Sequence, residues 1–353
     1  MPLVAHNNLP AFARLRERGE DVLSLDRAVH QDIRELHIGL LNMMPDAALS
    51  ATEQQFITLV GSCNQIAQFY VYPFSLPQLP RSAAARAHIA AHYFSFEALR
   101  EQGLDALIIS GANVANPRLE QEAFWGPLTE VVAWAQHNVA SILCSCLASH
   151  ALLHHLHGIE RQRLPGKRWG VYPHRVTQAG HPLVRDINSR FDAPHSRYNE
   201  VTRAQLQDAG QRVLAESDTA GVHLAVSADG FRVVYFQGHP EYDANSLLKE
   251  YKRETGLYLA GQRERPPFPE HYFDADAQAL ASAWLDAAER AARDGQPLPA
   301  FPEAELEARV DNTWRDTGKA VFNNWLGCVY RTTNIDRRRQ YMDGVDPANP
   351  LGL

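Results

Sequence analysis

Two short stretches hold residue types that suit nucleophilic chemistry. The run from Ser141 to His150, SILCSCLASH, carries two cysteines one residue apart, where an apolar segment passes into a helical pattern. The run from Gly238 to Asp243, GHPEYD, places His239 just past a second apolar segment, with Glu241 two residues on. A thiol at a sharp strand-to-helix turn is presented at the edge of a sheet, and the dipole of the following helix favours its thiolate. That turn position is Cys146; Cys144 lies two residues back, inside the strand. The backbone N–H of Leu147 would then face a developing oxyanion. A thiol nucleophile needs a base to share its proton, and the base needs a third group to fix its tautomer. His239 and Glu241 match those two roles. Plainer readings exist: free cysteine is often a small buried residue, and His150, His154 and His157 recur at helical spacing beside the cysteine pair. No zinc-site spacing accompanies those histidines, so no metal is expected.

Other segments must position these residues. Apolar runs at 37–44, 66–72, 104–112 and 140–146 suit strands buried on both faces. Helical patterns separate them at 50–61, 94–103 and 119–137. Strand and helix in alternation predict a doubly wound α/β sheet, whose ligands sit at the carboxyl ends of the strands. After residue 165 the runs WGVYPHRVT, RVLAES, GVHLAVSADG and FRVVYFQG predict an added antiparallel portion, with a hairpin turn at 228–230. An amphipathic helix comes next over 244–256, ending in Gly256. From about 265 to 310 the chain is rich in Pro, Ala and Glu and reads as a surface insertion around an Ala-rich helix at 276–293. Residues 312–333 form a final apolar and aromatic helix. The chain reads as a single domain spanning 1–353.

Bulk properties narrow the class. The 353 residues carry a formal net charge of −7, which points away from nucleic acid and from an anionic membrane surface. The start lacks a basic segment followed by an apolar core, and no apolar run approaches a membrane span. Four unevenly spaced cysteines do not make a disulfide scaffold. These features predict a cytoplasmic protein with reduced thiols.

The paired Cys146 and GHPE motifs resemble the class I glutamine amidotransferase superfamily, and within it the homoserine O-acyltransferases, the homoserine O-succinyltransferases of methionine biosynthesis. LLNMMP (40–45), LIISGANVA (107–115), GVYPH (170–174), APHSRYNEV (193–201), GHPEYDANSLLKEYKRE (238–254) and VFNNWLGCVYRTT (321–333) are similar to that family's segments in the same order. The resemblance spans nearly the whole chain. It implies a flavodoxin-like, mainly parallel sheet and C-terminal helices, a homodimer, and no cofactor beyond the acyl-CoA substrate.

It also implies roles. Cys146 takes the acyl group from acyl-CoA. His239 is the base on the amino acid hydroxyl, and Glu241 orients it. Arg253 holds the homoserine carboxylate, which a guanidinium fork suits. Ser196 and Arg197 match further contacts to the amino acid, and Lys167 matches a substrate-binding lysine. Ala115 occupies the acyl-specificity position; a small residue there leaves room for succinyl-CoA, whereas a glutamate suits acetyl-CoA. Departures are visible as well. No lysine pair comes after Pro45, and His150 stands where the relatives carry glutamine. The 265–310 segment is outside the usual pattern. They leave L-serine as the nearest rival acceptor, since one methylene is discriminated by only about 1–3 kcal/mol. A glutamine amidotransferase is a further alternative, though the glycines expected around its nucleophile are absent. A non-enzymatic binding protein is the last.

Overall fold

Residues 35–41, 68–74, 106–109, 141–145 and 233–236 are strands whose successive side chains are buried on opposite faces. Leu36, Ile38, Leu40, Ile108, Leu143, Val234 and Phe236 join one apolar cluster; Leu41, Leu107, Ile109, Ile142, Cys144, Val233 and Tyr235 join another. Each large apolar side chain so buried contributes about 1.5–3 kcal/mol. A sheet apolar on both faces must be covered on both, and the result is three layers.

The computed structural model describes residues 3–20, 22–31, 33–63 and 67–353. Ile66, the first residue of one expected strand, lies outside them. In chain order the strands are β1 (Val4–Ala5), β2 (Leu23–Ser24), β3 (Glu35–Leu41), β4 (Gln68–Phe74), β5 (Ala106–Ile109), β6 (Ser141–Ser145), β7 (Gln162–Val176), β8 (Arg190–Glu200), β9 (Arg212–Ser217), β10 (Gly221–Val226) and β11 (Val233–Phe236). The helices are α1 (Pro10–Glu17), α2 (Leu25–Val29), α3 (Asp46–Gly61), α4 (Ala83–His92), α5 (Phe96–Gln102), α6 (Trp125–Asn138), α7 (Leu147–His157), α8 (Arg203–Asp208), α9 (Ser246–Leu259), α10 (Ala275–Arg293), α11 (Glu303–Glu307) and α12 (Arg315–Thr332).

Nine strands form one sheet in the order β4-β3-β5-β6-β11-β10-β9-β7-β8. Its parallel part, β4-β3-β5-β6-β11, has the flavodoxin-like order 2-1-3-4-5. The remaining strands are antiparallel, as expected. Helices α3 and α12 cover one face through Phe56, Val60, Phe322 and Trp325. Helices α6 and α7 cover the other through Val131, Val132 and Leu152. Trp325 anchors α12 by donating its indole N–H to Ser141 Oγ on β6 at 2.9 Å. Among the described residues no helix is long and apolar enough to cross a membrane.

Some boundaries differ from expectation. The helix expected over 119–137 begins as a 3-10 turn at Leu119–Gln121 and becomes α-helical only at Trp125, so that Pro127 falls in the first turn where its missing N–H is tolerated. Helix α9 runs through Gly256 to Leu259, and Gly261, at φ 70°, supplies the left-handed residue that ends it. Strand β8 is an edge strand, which accommodates Pro194. The segment from about 265 to 310 contributes Tyr272, Phe273, Ala277, Ala281 and Leu306 to a third apolar cluster with Trp169, Tyr251 and Trp314. It is stitched to β7 where Glu270 donates to Trp169 O at 2.8 Å and Val171 donates to Glu270 O at 2.9 Å.

Candidate active site

Strands β6 and β11 are neighbours, paired Ser145 to Phe236, so the segments leaving the two strands emerge at the same edge. Cys146 N–H donates to Phe236 O at 2.8 Å, one residue past that pair. Cys146 then turns at φ 51° and ψ −109° into the N-terminus of α7. A non-glycine residue held there is a strained elbow. The thiol is half-buried, whereas Cys144 is fully buried and burial drives its thiol well above the usual range. Leu147 is the first helical residue, and its N–H has no partner within the helix. Gly111, just past β5, comes so close that a Cβ on it would lie 3.7 Å from Cys146 Cβ and 3.5 Å from Met44 Sδ. The loops after β3, β5 and β6 therefore meet at the thiol.

His239 lies three residues past β11, its backbone N–H donating to Pro194 O at 2.8 Å. Its Nδ1 donates to Glu241 Oε1 at 2.8 Å, and Ser145 Oγ donates to the same oxygen at 2.9 Å. Burial alone would lower the His239 pKa; the charges of Cys146 and Glu241 and the hydrogen bond to Glu241 outweigh it and hold the imidazole well above its ordinary value, while Nε2 is buried with no hydrogen-bond partner among the described residues. The Tyr242 ring stacks on the imidazole, 4.2 Å between centroids.

Beyond this array stands Glu250 on α9. Its Oε2 accepts from Lys167 Nζ at 2.8 Å and Ser196 Oγ at 2.6 Å, and its Oε1 from Tyr242 Oη at 2.8 Å. Burial would raise the Glu250 pKa, but Lys167 and these hydrogen bonds hold it below the usual value. Lys167 Nζ also lies 4.1 Å from the centre of the Trp169 ring. Arg253, one turn along α9, is half-exposed; its Nη2 donates to Glu254 Oε1 at 2.8 Å. Thus Lys167 and Ser196 converge on one carboxylate, with Arg253 on the same helix.

Arg197 is placed differently from its neighbours. It is buried, donating from Nε to His195 Nδ1 at 3.3 Å, from Nη1 to Asn199 O at 2.8 Å and from Nη2 to Ala220 O at 2.5 Å. Its donors brace the β7–β8 arm. Ala115 is exposed on the loop after β5, where Glu122 Oε1 accepts from the N–H groups of Ala115 and Asn116 at 2.7 and 2.6 Å. No lysine directly follows Pro45, and Arg81 donates to Met44 O and Asn42 O beside it.

The histidines of α7 diverge. His150 donates to Gln237 Oε1 at 2.9 Å and burial lowers its pKa to about 3, whereas His154 lies between Glu120 and Glu160. A buried trio, His174, His195 and His223, lies close together behind Gly238. Its hydrogen bonds fix the tautomers. Arg197 donates to His195 Nδ1, His195 Nε2 donates to His174 Nε2 at 3.0 Å, and His174 Nδ1 donates to Tyr172 O at 2.7 Å. His195 then has no free lone pair for a metal.

A family model described as homoserine O-succinyltransferase matches residues 2–335. The chain belongs to the homoserine O-succinyltransferase family. Proteins of that name from Methylococcus capsulatus and Methylobacter tundripaludum are 62% and 60% identical, each aligned over 100% of this chain and 100% of their own. These homoserine O-succinyltransferases therefore carry the 265–310 segment as well. A solved glutamine amidotransferase from Methylobacillus flagellatus is 13% identical, covers 84% of this chain and 95% of its own, and aligns at a TM-score of 0.43. Ser145, Gly111 and Glu250 escaped the sequence reading. Glu250 had one signal available, its place in the family-like stretch KEYKRE three residues before Arg253.

Proposed function

We propose that this protein transfers the succinyl group of succinyl-CoA to the hydroxyl of L-homoserine through an acyl-enzyme on Cys146, the acylation step of methionine biosynthesis. The observation that carries the reading is the set of Cys146, His239 and Glu241 at one sheet edge, with Tyr242 stacked on His239 and bonded to Glu250 on the helix that carries Arg253, in a chain whose relatives bear this name. His239 takes the thiol proton of Cys146, and the imidazolium stabilises the thiolate so formed. The thiolate attacks the thioester carbonyl, and the N–H of Leu147 stabilises the oxyanion. The carbon–sulfur bond to CoA breaks, and His239 gives its proton to the leaving thiolate. Acylation removes the negative sulfur, so nothing but Glu241 then favours the charged imidazole. His239, now neutral, takes the hydroxyl proton as homoserine oxygen attacks the acyl carbon; the carbon–sulfur bond to Cys146 then breaks, releasing O-succinylhomoserine and leaving the Cys146 thiolate beside the protonated His239. Glu241 and Ser145 keep Nδ1 protonated and Nε2 aimed at the reacting atoms.

The acceptor is an α-amino acid, with one positive and one negative group to satisfy. Glu250 suits the ammonium, with Lys167, Ser196 and Tyr242 holding its carboxylate; Arg253 suits the carboxylate. Arg197 supports the pocket from behind. Small Ala115 suits a donor with a larger acyl group. The protein needs no resident cofactor, and as a homodimer in the cytoplasm it would meet both substrates.

The test is CoA release from succinyl-CoA or acetyl-CoA with L-homoserine or L-serine, alongside intact-mass detection of the acyl-enzyme. Release with succinyl-CoA and homoserine, and a succinyl adduct absent from Cys146→Ala, is the expected result. Release with serine alone would move the acceptor. No adduct and no release under any pairing would overturn the reading.

A further inference from the structure

We infer that Arg161 selects the acyl donor, by holding the free carboxylate at the far end of the succinyl group. The inference rests on the acyl-transfer reading above. Arg161 comes after α7 and the left-handed Gly158 that closes it, so its backbone is fixed relative to the helix that begins at Cys146. Its Nη2 donates to Pro117 O at 3.1 Å. The guanidinium therefore lies against the loop that leaves β5, the loop that carries Gly111 next to the thiol and Ala115 beyond it. Nη1 is buried, with no hydrogen-bond partner among the described residues. A buried guanidinium nitrogen without an acceptor is costly to keep, and the missing partner is a ligand oxygen.

The surroundings define that ligand. Glu122 and Glu160 are the carboxylates whose charges act on Arg161, but Glu122 Oε1 accepts from the N–H groups of Ala115 and Asn116, and among the described residues no carboxylate lies within ion-pair distance of Arg161. Arg161 is close enough that its charge is felt by Cys146, His150 and Glu122. An acyl chain attached to Cys146 and ending in a carboxylate carries the complementary group away from the reacting carbonyl toward this loop. An acetyl or butyryl chain has nothing to offer Nη1. A planar fork also discriminates by direction, which an ammonium does not.

The experiment compares succinyl-CoA with butyryl-CoA, which has the same number of acyl carbons and no carboxylate. Wild type, Arg161→Met and Arg161→Lys are assayed for kcat/KM with homoserine and for the rate of acyl-enzyme formation by intact mass. Loss of the charge should lower kcat/KM for succinyl-CoA about 100-fold and leave butyryl-CoA within about 3-fold; lysine should recover about a tenth of the lost rate. Equal falls for both donors would overturn the inference and leave Arg161 as a brace for Pro117. A wild-type enzyme that prefers butyryl-CoA would instead refute the succinyl assignment. A well-folded wild type that transfers neither group would refute the acyltransfer reading as a whole.

Discussion

At φ 51° and ψ −109°, the backbone of Cys146 is held in a region that costs a residue with a Cβ about 1–3 kcal/mol. The strain is maintained by β6 on one side, α7 on the other, and the Cys146 N–H bond to Phe236 O. Two inactive variants separate the strain from the chemistry. Cys146→Ala keeps the Cβ and Cys146→Gly removes it. Neither should form an acyl adduct, but glycine should be more stable than alanine by about 1 kcal/mol and so unfold at a higher denaturant midpoint. Equal midpoints would mean that the elbow is relaxed. Cys146, His239 and Glu241 were legible in the sequence because an elbow and a His-x-Glu are local patterns. Ser145 was not, because its partner Glu241 lies 96 residues away and no local pattern links them. Arg197 reads as a contact residue in its motif, yet burial and four hydrogen-bonding neighbours tie it into the arm.

At the scale of elements, the β7–β8 arm brings Lys167 and Ser196 to a carboxylate offered by α9. Burial pushes the Glu250 pKa up, but Lys167 and three hydrogen bonds overcome it and hold the carboxyl below its ordinary value. A depressed carboxylate stabilises the fold above its unfolded value, 4.5, and that stabilisation is lost as the pH falls through the lower folded value. Glu250→Gln should therefore flatten the loss of stability as the pH falls below 4.5 in urea melts, and raise KM for homoserine more than for succinyl-CoA. Retention of both the wild-type acid slope and the wild-type KM would remove Glu250 from the pocket. The parallel strands were legible as apolar runs because both their faces are covered. Strand β8 carries charge and a proline because it lies at the edge, and α4 buries only Ala85, so neither leaves a stripe to read.

Over the whole molecule, the sheet and the third apolar cluster are joined through Gly170. A Cβ there would lie 2.2 Å from Glu270 O, so the seam requires glycine. Gly170→Ala should cost about 3 kcal/mol, separate the 265–310 segment from β7 and weaken homoserine binding through α9. An unchanged melting temperature and KM would show that the seam carries no load. The Pro- and Ala-rich composition of that segment reads as a surface insertion and gives no sign of the seam; Tyr272 and Phe273 within it are buried.

Strands β6 and β11 lie side by side, yet the entire antiparallel arm is synthesised between them. A growing chain that has just produced Cys146 has not yet made His239. Only when β11 docks does the sulfur gain its proton partner, and with it the nucleophilicity that would otherwise expose an unfinished chain to indiscriminate acylation or oxidation. Reactivity is thus acquired only once β11 has joined the sheet, and the rate at which the thiol becomes labelled during refolding is a clock for closure of the sheet.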